Sequence, residues 1–124
     1  MSSYVKPCFK TYCAEGAITQ YSFVKFGSGD DKVVLSGAAE KAFGIFMASN
    51  DSDAVLNDAV EIAHLSGGAL IKLAGPVTRG DSIASDASGL GVLATAGQWA
   101  PAIAMESGVA GDIIGVILNG HQAI

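Results

Sequence analysis

The chain has 124 residues, half of them apolar, yet only 15% are charged and 7% aromatic, and 16 are glycine. An ordinary domain carries about a quarter charged residues, so this composition favours close contact and association over catalysis. Twelve acidic against seven basic residues leave a net charge of −5, and a lone Arg79 with scattered lysines makes no basic patch able to displace counterions from nucleic-acid phosphates. Apolar runs fall far short of the ~20 residues of a membrane span. No apolar stretch of the ~7–15 residues of a signal peptide follows Met1 to Lys6. The expectation is a soluble, unprocessed, single-domain protein with neither a nucleic-acid nor a membrane partner.

Residues 1–15 stand apart from the Gly-Ala texture that follows. They carry Tyr4, Val5, Pro7, Cys8, Phe9, Tyr12 and Cys13, and the first ten residues hold Lys6 and Lys10 and no acid. Aromatics dominate interface energetics and are costly in water unless they dock. The segment is therefore read as an arm that orders on a partner; the alternative is a first strand packed on the chain's own core. Cys8 and Cys13 form one C-x4-C pair. A disulfide between them is geometrically possible, but spacing alone does not decide it, and a zinc site needs two further ligands. The remainder reads as short strands broken by turn residues. Ile18 to Phe26, Lys32 to Ser36, Ala42 to Met47, Ala59 to Leu65 and Ala69 to Ala74 are predicted strands. Gly27 to Asp31, Asn50 to Asp53 and Ser66 to Gly68 are predicted turns, and only Gly37 to Lys41 and Ala94 to Trp99 look helical, each for barely a turn.

An internal repeat is the most informative feature. Ile18 to Val24 aligns with Val77 to Ile83, and Val34 to Ala39 with Val92 to Gly97. Ala42 to Met47 aligns with Ala100 to Met105, and Asp58 to Ala63 with Asp112 to Ile117. The offset drifts, which places insertions in turns, where they are tolerated. The two pseudo-repeats span about 16–65 and 75–118, and neither alone is long enough to bury a core. The fold class is all-β, a compact barrel-like body of two β-units with an N-terminal arm.

Chemistry-bearing side chains do not converge. His64 shares a strand face with Ile62, His121 lies near the C-terminus, and no serine sits in a G-x-S-x-G elbow. Asp30, Asp31, Asp51 and Asp53 fall in turn clusters, where aspartate bonds the backbone, and Asn50 to Asp53 lacks the glycine and distal glutamate of a calcium loop. Trp99 beside Ala100-Pro101 is either core or an interface anchor. The reading is no catalytic residue, no cofactor and no metal.

The repeated pattern, in Gly16-Ala17-Ile18-Thr19, Val33-Val34-Leu35, Ala42-Phe43-Gly44-Ile45, Asp58 to Ile62, Leu73 to Asp81 and Gly111 to Leu118, resembles the small capsid decoration (cement) proteins of tailed bacteriophages. The likeness covers about residues 16–118, and Tyr21 departs from it where the second half has Gly80. The resemblance implies a small β-tulip or β-clip-like barrel that assembles as a homotrimer on the outer capsid surface of the virion, after synthesis in the host cytoplasm. It further implies an N-terminal segment that contacts the major capsid protein by adding a strand, here Tyr4, Val5, Lys6, Pro7, Phe9 and Tyr12. A trimer interface is expected around Trp99, Pro101, Ile114 and Val116. Two alternatives stay open: a SAF-like β-clip module that binds sugars, which predicts a polar pocket, and a head-fibre adhesion protein, which predicts a further receptor-binding domain.

Overall fold

The computed structural model describes residues 9–38, 40–47, 53–64 and 68–123. The first half contributes β1 (Phe9–Ala14), β2 (Ser22–Phe26), β3 (Lys32–Leu35), β4 (Gly44–Phe46) and β5 (Ala59–His64). The second contributes β6 (Gly68–Lys72), β7 (Ser82–Ser85), β8 (Gly91–Leu93), β9 (Trp99–Ala104) and β10 (Ile113–Gln122). The protein is all-β, and no helix occurs among the described residues. The two expected single-turn helices do not form: the Gly37 N–H donates to the Glu40 carboxylate (2.7 Å), and Trp99 opens β9. A lone turn fixes several dihedrals for one hydrogen bond, so it is unstable without neighbours to extend it.

The halves share one topology. In the first, β1-β3-β2-β4-β5 closes into a barrel through antiparallel β5–β1 pairing. In the second, the order is β6-β10-β9-β7-β8, which is the same sequence of neighbours, and its two ends meet at a single parallel bridge, Leu73 to Gly91. Register corresponds residue by residue. Phe23 faces Ile45 as Ser82 faces Ile103, and Tyr12 faces Val60 as Ile71 faces Ile114. The irregular links repeat too: Ile18 bridges Ala54 as Val77 bridges Gly108. Val55 N donates to the Asp58 carboxylate (2.9 Å) as Val109 N does to that of Asp112 (3.0 Å).

This correspondence settles how the Tyr21 turn is built. Tyr21 sits at φ 57° and Gly80 at φ 94°, and each N–H donates to the equivalent carbonyl, Phe46 O or Ala104 O (2.8 Å for both). Left-handed backbone suits glycine and costs a side-chain-bearing residue about 1 kcal/mol. The first half thus holds a tyrosine where the backbone prefers glycine.

The correspondence also starts earlier than the aligned stretches. β1 is the counterpart of β6 in the first half, and it takes its place in the barrel between β3 and β5. The arm assigned to residues 1–15 is therefore corrected for 9–14, which form a barrel strand. Tyr12 is 7% exposed and packs edge-on to Phe43 (centroids 5.5 Å apart), and burial pushes its phenol above the ordinary value. Five residue pairs of antiparallel ladder with β5 explain the difference: the chain's own sheet takes the backbone groups that an arm would offer to a partner.

Two buried clusters hold the body together. One fills the first barrel with Tyr12, Val24, Val33, Phe46, Val60 and Ile62. The other contains Ile71, Leu73, Ile83, Ile114 and Val116 of the second half, together with Phe23, Ile45 and Ala63 of the first. Successive strand residues face opposite sides, so Val24 fills the barrel while Phe23 leaves it to join the other half. Main-chain bonds reinforce the joint: Phe23 N to Gly89 O (2.7 Å) and Lys72 N to Tyr21 O (2.9 Å).

Phe23→Ala is expected to lose about 3–5 kcal/mol and to destabilise both halves together. Denaturant unfolding followed by tryptophan fluorescence, reporting the second half, and by circular dichroism should then give coincident transitions at a lower midpoint. A second expectation concerns acid. The exposed Glu15 carboxylate accepts from the Ser28 hydroxyl and N–H, which hold it below the ordinary value of 4.5. A depressed folded value means stabilisation that is present above about pH 4.5 and is lost as pH falls through the folded value. Glu15→Gln should flatten that acid limb in thermal melts while leaving neutral-pH melting nearly unchanged.

Candidate association surface

The outer face of β6, β10 and β9 is apolar, and nothing among the described residues covers it. Leu70 and Ile117 are each 40% exposed, Met105 44% and Ile113 46%. Register places them together: Leu70 lies opposite Gly115, Ile117 opposite both Gly68 and Ile103, and Ile113 opposite Lys72. The Met105 methyl crowds the position a Cβ on Gly115 would take (3.2 Å) and lies within contact distance of one on Gly68 (3.9 Å), which joins the rows into one surface.

The fold itself does not require these residues. The equivalent positions in the first half are Thr11 for Leu70, Ala59 for Ile113 and Glu61 for Gly115, all exposed and polar or small. Two further equivalents, Ile45 for Ile103 and Ala63 for Ile117, are buried because the second half covers them. The second half thus presents apolar side chains at positions where the first half has either polar residues or an internal partner. A contiguous exposed apolar patch is the usual mark of an association surface.

The residues singled out from the sequence lie elsewhere. Ile114 is 2% exposed and Val116 0%, and Pro101 is buried, so these three serve the protomer's own core and cannot line an interface between copies. The correction is one residue in register: Ile113 and Ile117 face outward where Ile114 and Val116 face in. Ile113 to Leu118 is apolar on both faces, so alternation could not reveal which set was buried. Trp99 is half-buried, and its Nε1 donates to Ala42 O (2.9 Å) while its ring lies against Gly120, where a Cβ would come within 2.5 Å of it. It clasps the two halves of one chain, and Lys41 Nζ lies 5.3 Å from the ring centre.

Of the arm residues, Tyr4, Val5, Lys6 and Pro7 lie outside the described residues, as do Cys8 and Asn50 to Ser52; Phe9 and Tyr12 belong to β1. Cys13 Sγ accepts from Lys32 Nζ (3.6 Å). Asp53 accepts from Gln20 N (3.0 Å), a bracket for the turn. The Ser82 hydroxyl and His121 Nε2 are 2.8 Å apart, and the other ring nitrogen meets Asn119 O (2.6 Å), so a backbone carbonyl stands where a triad would have a carboxylate. This pair ties β7 to the end of β10.

No protein-family model and no curated protein sequence matches the chain. Among solved structures, the chain is similar to the head fiber gp8.5 N base of bacteriophage phi29, with a TM-score of 0.73 at 12% identity. The match covers 94% of this chain and 97% of that one, so the two share their fold over nearly their whole lengths.

Substitutions along β10 separate the two faces. Ile117→Lys should leave protomer stability within about 0.5 kcal/mol, as surface changes do. Val116→Lys, which buries an unpaired charge, should prevent folding. Thermal melts of the two variants side by side give the comparison.

Proposed function

We propose that the chain is a structural protein of a tailed-phage head, held on the outer capsid surface by contact with the major capsid protein and assembled as a homotrimer. The observation that carries this reading is the whole-length likeness of fold to the phi29 head fiber base. The repeated motif supports it from the sequence side. In this reading the attachment segment is residues 1–8, with Tyr4, Val5, Lys6 and Pro7 as its contacts, because Phe9–Ala14 is committed to the barrel. Copies meet through Leu70, Met105, Ile113 and Ile117, the apolar face that nothing among the described residues covers. Attachment is then additive, each copy's modest contact being multiplied by effective concentration within the trimer.

A second reading is favoured by the same likeness: the chain is the capsid-seated base of a head fibre rather than a compact cement protein. Both readings place it on the head. Negative-stain images of decorated heads distinguish a low knob from a projecting fibre.

The full chain is expected to co-sediment with heads of the phage that encodes it, and a variant lacking residues 1–8 to stay in the supernatant with its melting temperature unchanged. Decoration by the shortened chain would overturn the attachment segment. Light scattering checks the assembly: the native chain should run at about three protomer masses, and Ile113→Lys with Ile117→Lys at one. A single protomer mass for the native chain would overturn the trimer.

A further inference from the structure

A cavity of about 670 Å³ opens where the two halves meet, within the range of small-molecule sites. Thr19, Gln20, Tyr21 and Asp53 wall it from the first half, and Lys72, Ser88 and Ile113 from the second. The cavity therefore exists only once the halves have joined. Its backbone is held firmly: Lys72 N donates to Tyr21 O (2.9 Å), and Asp53 Oδ1 accepts from Gln20 N (3.0 Å).

We propose that this inter-half cleft binds a neutral saccharide, with Tyr21 as the aromatic face beneath the sugar ring and Asp53, Lys72 and Ser88 as partners for its hydroxyls. The first argument is the tyrosine. At the equivalent turn the second half uses Gly80 with the same hydrogen bond, so the turn itself does not call for a side chain. A tyrosine kept in left-handed backbone, where glycine would relax it, is strain of the kind that persists at binding sites. The second argument is charge. The lining holds one ammonium and one carboxylate and no arginine, so an anion would meet Asp53 and a cation would meet Lys72. Neither charge has an ion-pair partner among the described residues, where the ion pair is Lys25–Glu40. A neutral ligand that both donates and accepts satisfies the two together. The third argument is mixed polarity. Leu35, Leu90 and Ile113 supply apolar wall beside the hydroxyl and amide groups. A pyranose presents the same mixture, with an apolar C–H face and a rim of hydroxyls.

The test is amide-shift mapping by NMR on the full chain. The probes are glucose, galactose, N-acetylglucosamine and N,N′-diacetylchitobiose, with glucuronate, glucosamine and inorganic phosphate as charged controls. At least one neutral sugar should move the amides of Gln20, Tyr21, Lys72 and Ser88 with a Kd on the order of 1 mM. Tyr21→Gly should weaken that binding about tenfold or more while raising the melting temperature, a combination that a merely structural tyrosine would not produce. Lys72→Met, which keeps the N–H to Tyr21 O, should weaken binding with melting unchanged, and it decides the matter should Tyr21→Gly fail to fold. The proposal is overturned if no neutral sugar shifts these amides near 10 mM, if a charged control binds in preference, or if both variants bind as the native chain does. Head co-sedimentation reads none of these outcomes, so sugar binding and head attachment stand or fall separately.

Discussion

Phe23, Ile45 and Ala63 leave a barrel whose own interior is already filled, and the second half exists in its observed position because it covers them. A closed five-stranded barrel satisfies its backbone but leaves this apolar face in water. The second sheet meets itself at one bridge among the described residues, and it completes its core with those three residues and Ala42. Each half therefore supplies what the other lacks. The cleft at their junction, the Trp99 clasp onto Ala42 and the bond from Lys72 to Tyr21 all follow from that one apolar joint.

A shared register with unlike side chains makes the chain its own control. Where the halves carry the same class of residue, the fold is the reason: Asp58 and Asp112 both tie the turn ahead of the last strand. Where they differ, the fold tolerates either, and the difference asks for another cause. Asn57 and Gly111 are both easy occupants of left-handed backbone, at φ 72° and 91°. Tyr21 against Gly80 is not such a pair, and neither are Thr11, Ala59 and Glu61 against Leu70, Ile113 and Gly115. The cleft and the apolar face are thus two places where this chain departs from what its own duplicate shows to be sufficient.

Much of this architecture could be read from residue order. Short β-rich runs between Gly, Asp and Asn turns gave the all-β class and the approximate strands, and four ordered matches pointed to two related halves. The equivalence of the two leading strands is not legible in the sequence, because Phe9–Ala14 and Gly68–Lys72 share almost no side-chain character, although they hold the same register against β5 and β10. Aromatic richness before residue 15 looked like a docking arm, yet Tyr12 spends its ring inside the barrel. Residue order alone leaves Trp99 open to core or interface, and in the fold it belongs to the joint inside one chain.

The sequence by itself determined the turns, the strand-forming runs and the duplication, because these rest on local backbone preference and on order along the chain. It also determined that charge and chemistry are sparse. Only the tertiary structure decided which face of each strand is buried. Ile114 and Val116 cannot be told from Ile113 and Ile117 until β10 is seated between β6 and β9, since all four are equally apolar and a strand turns its faces every residue. For the same reason the cleft was invisible: Tyr21, Asp53 and Lys72 are far apart in the chain and meet only when one half is laid on the other.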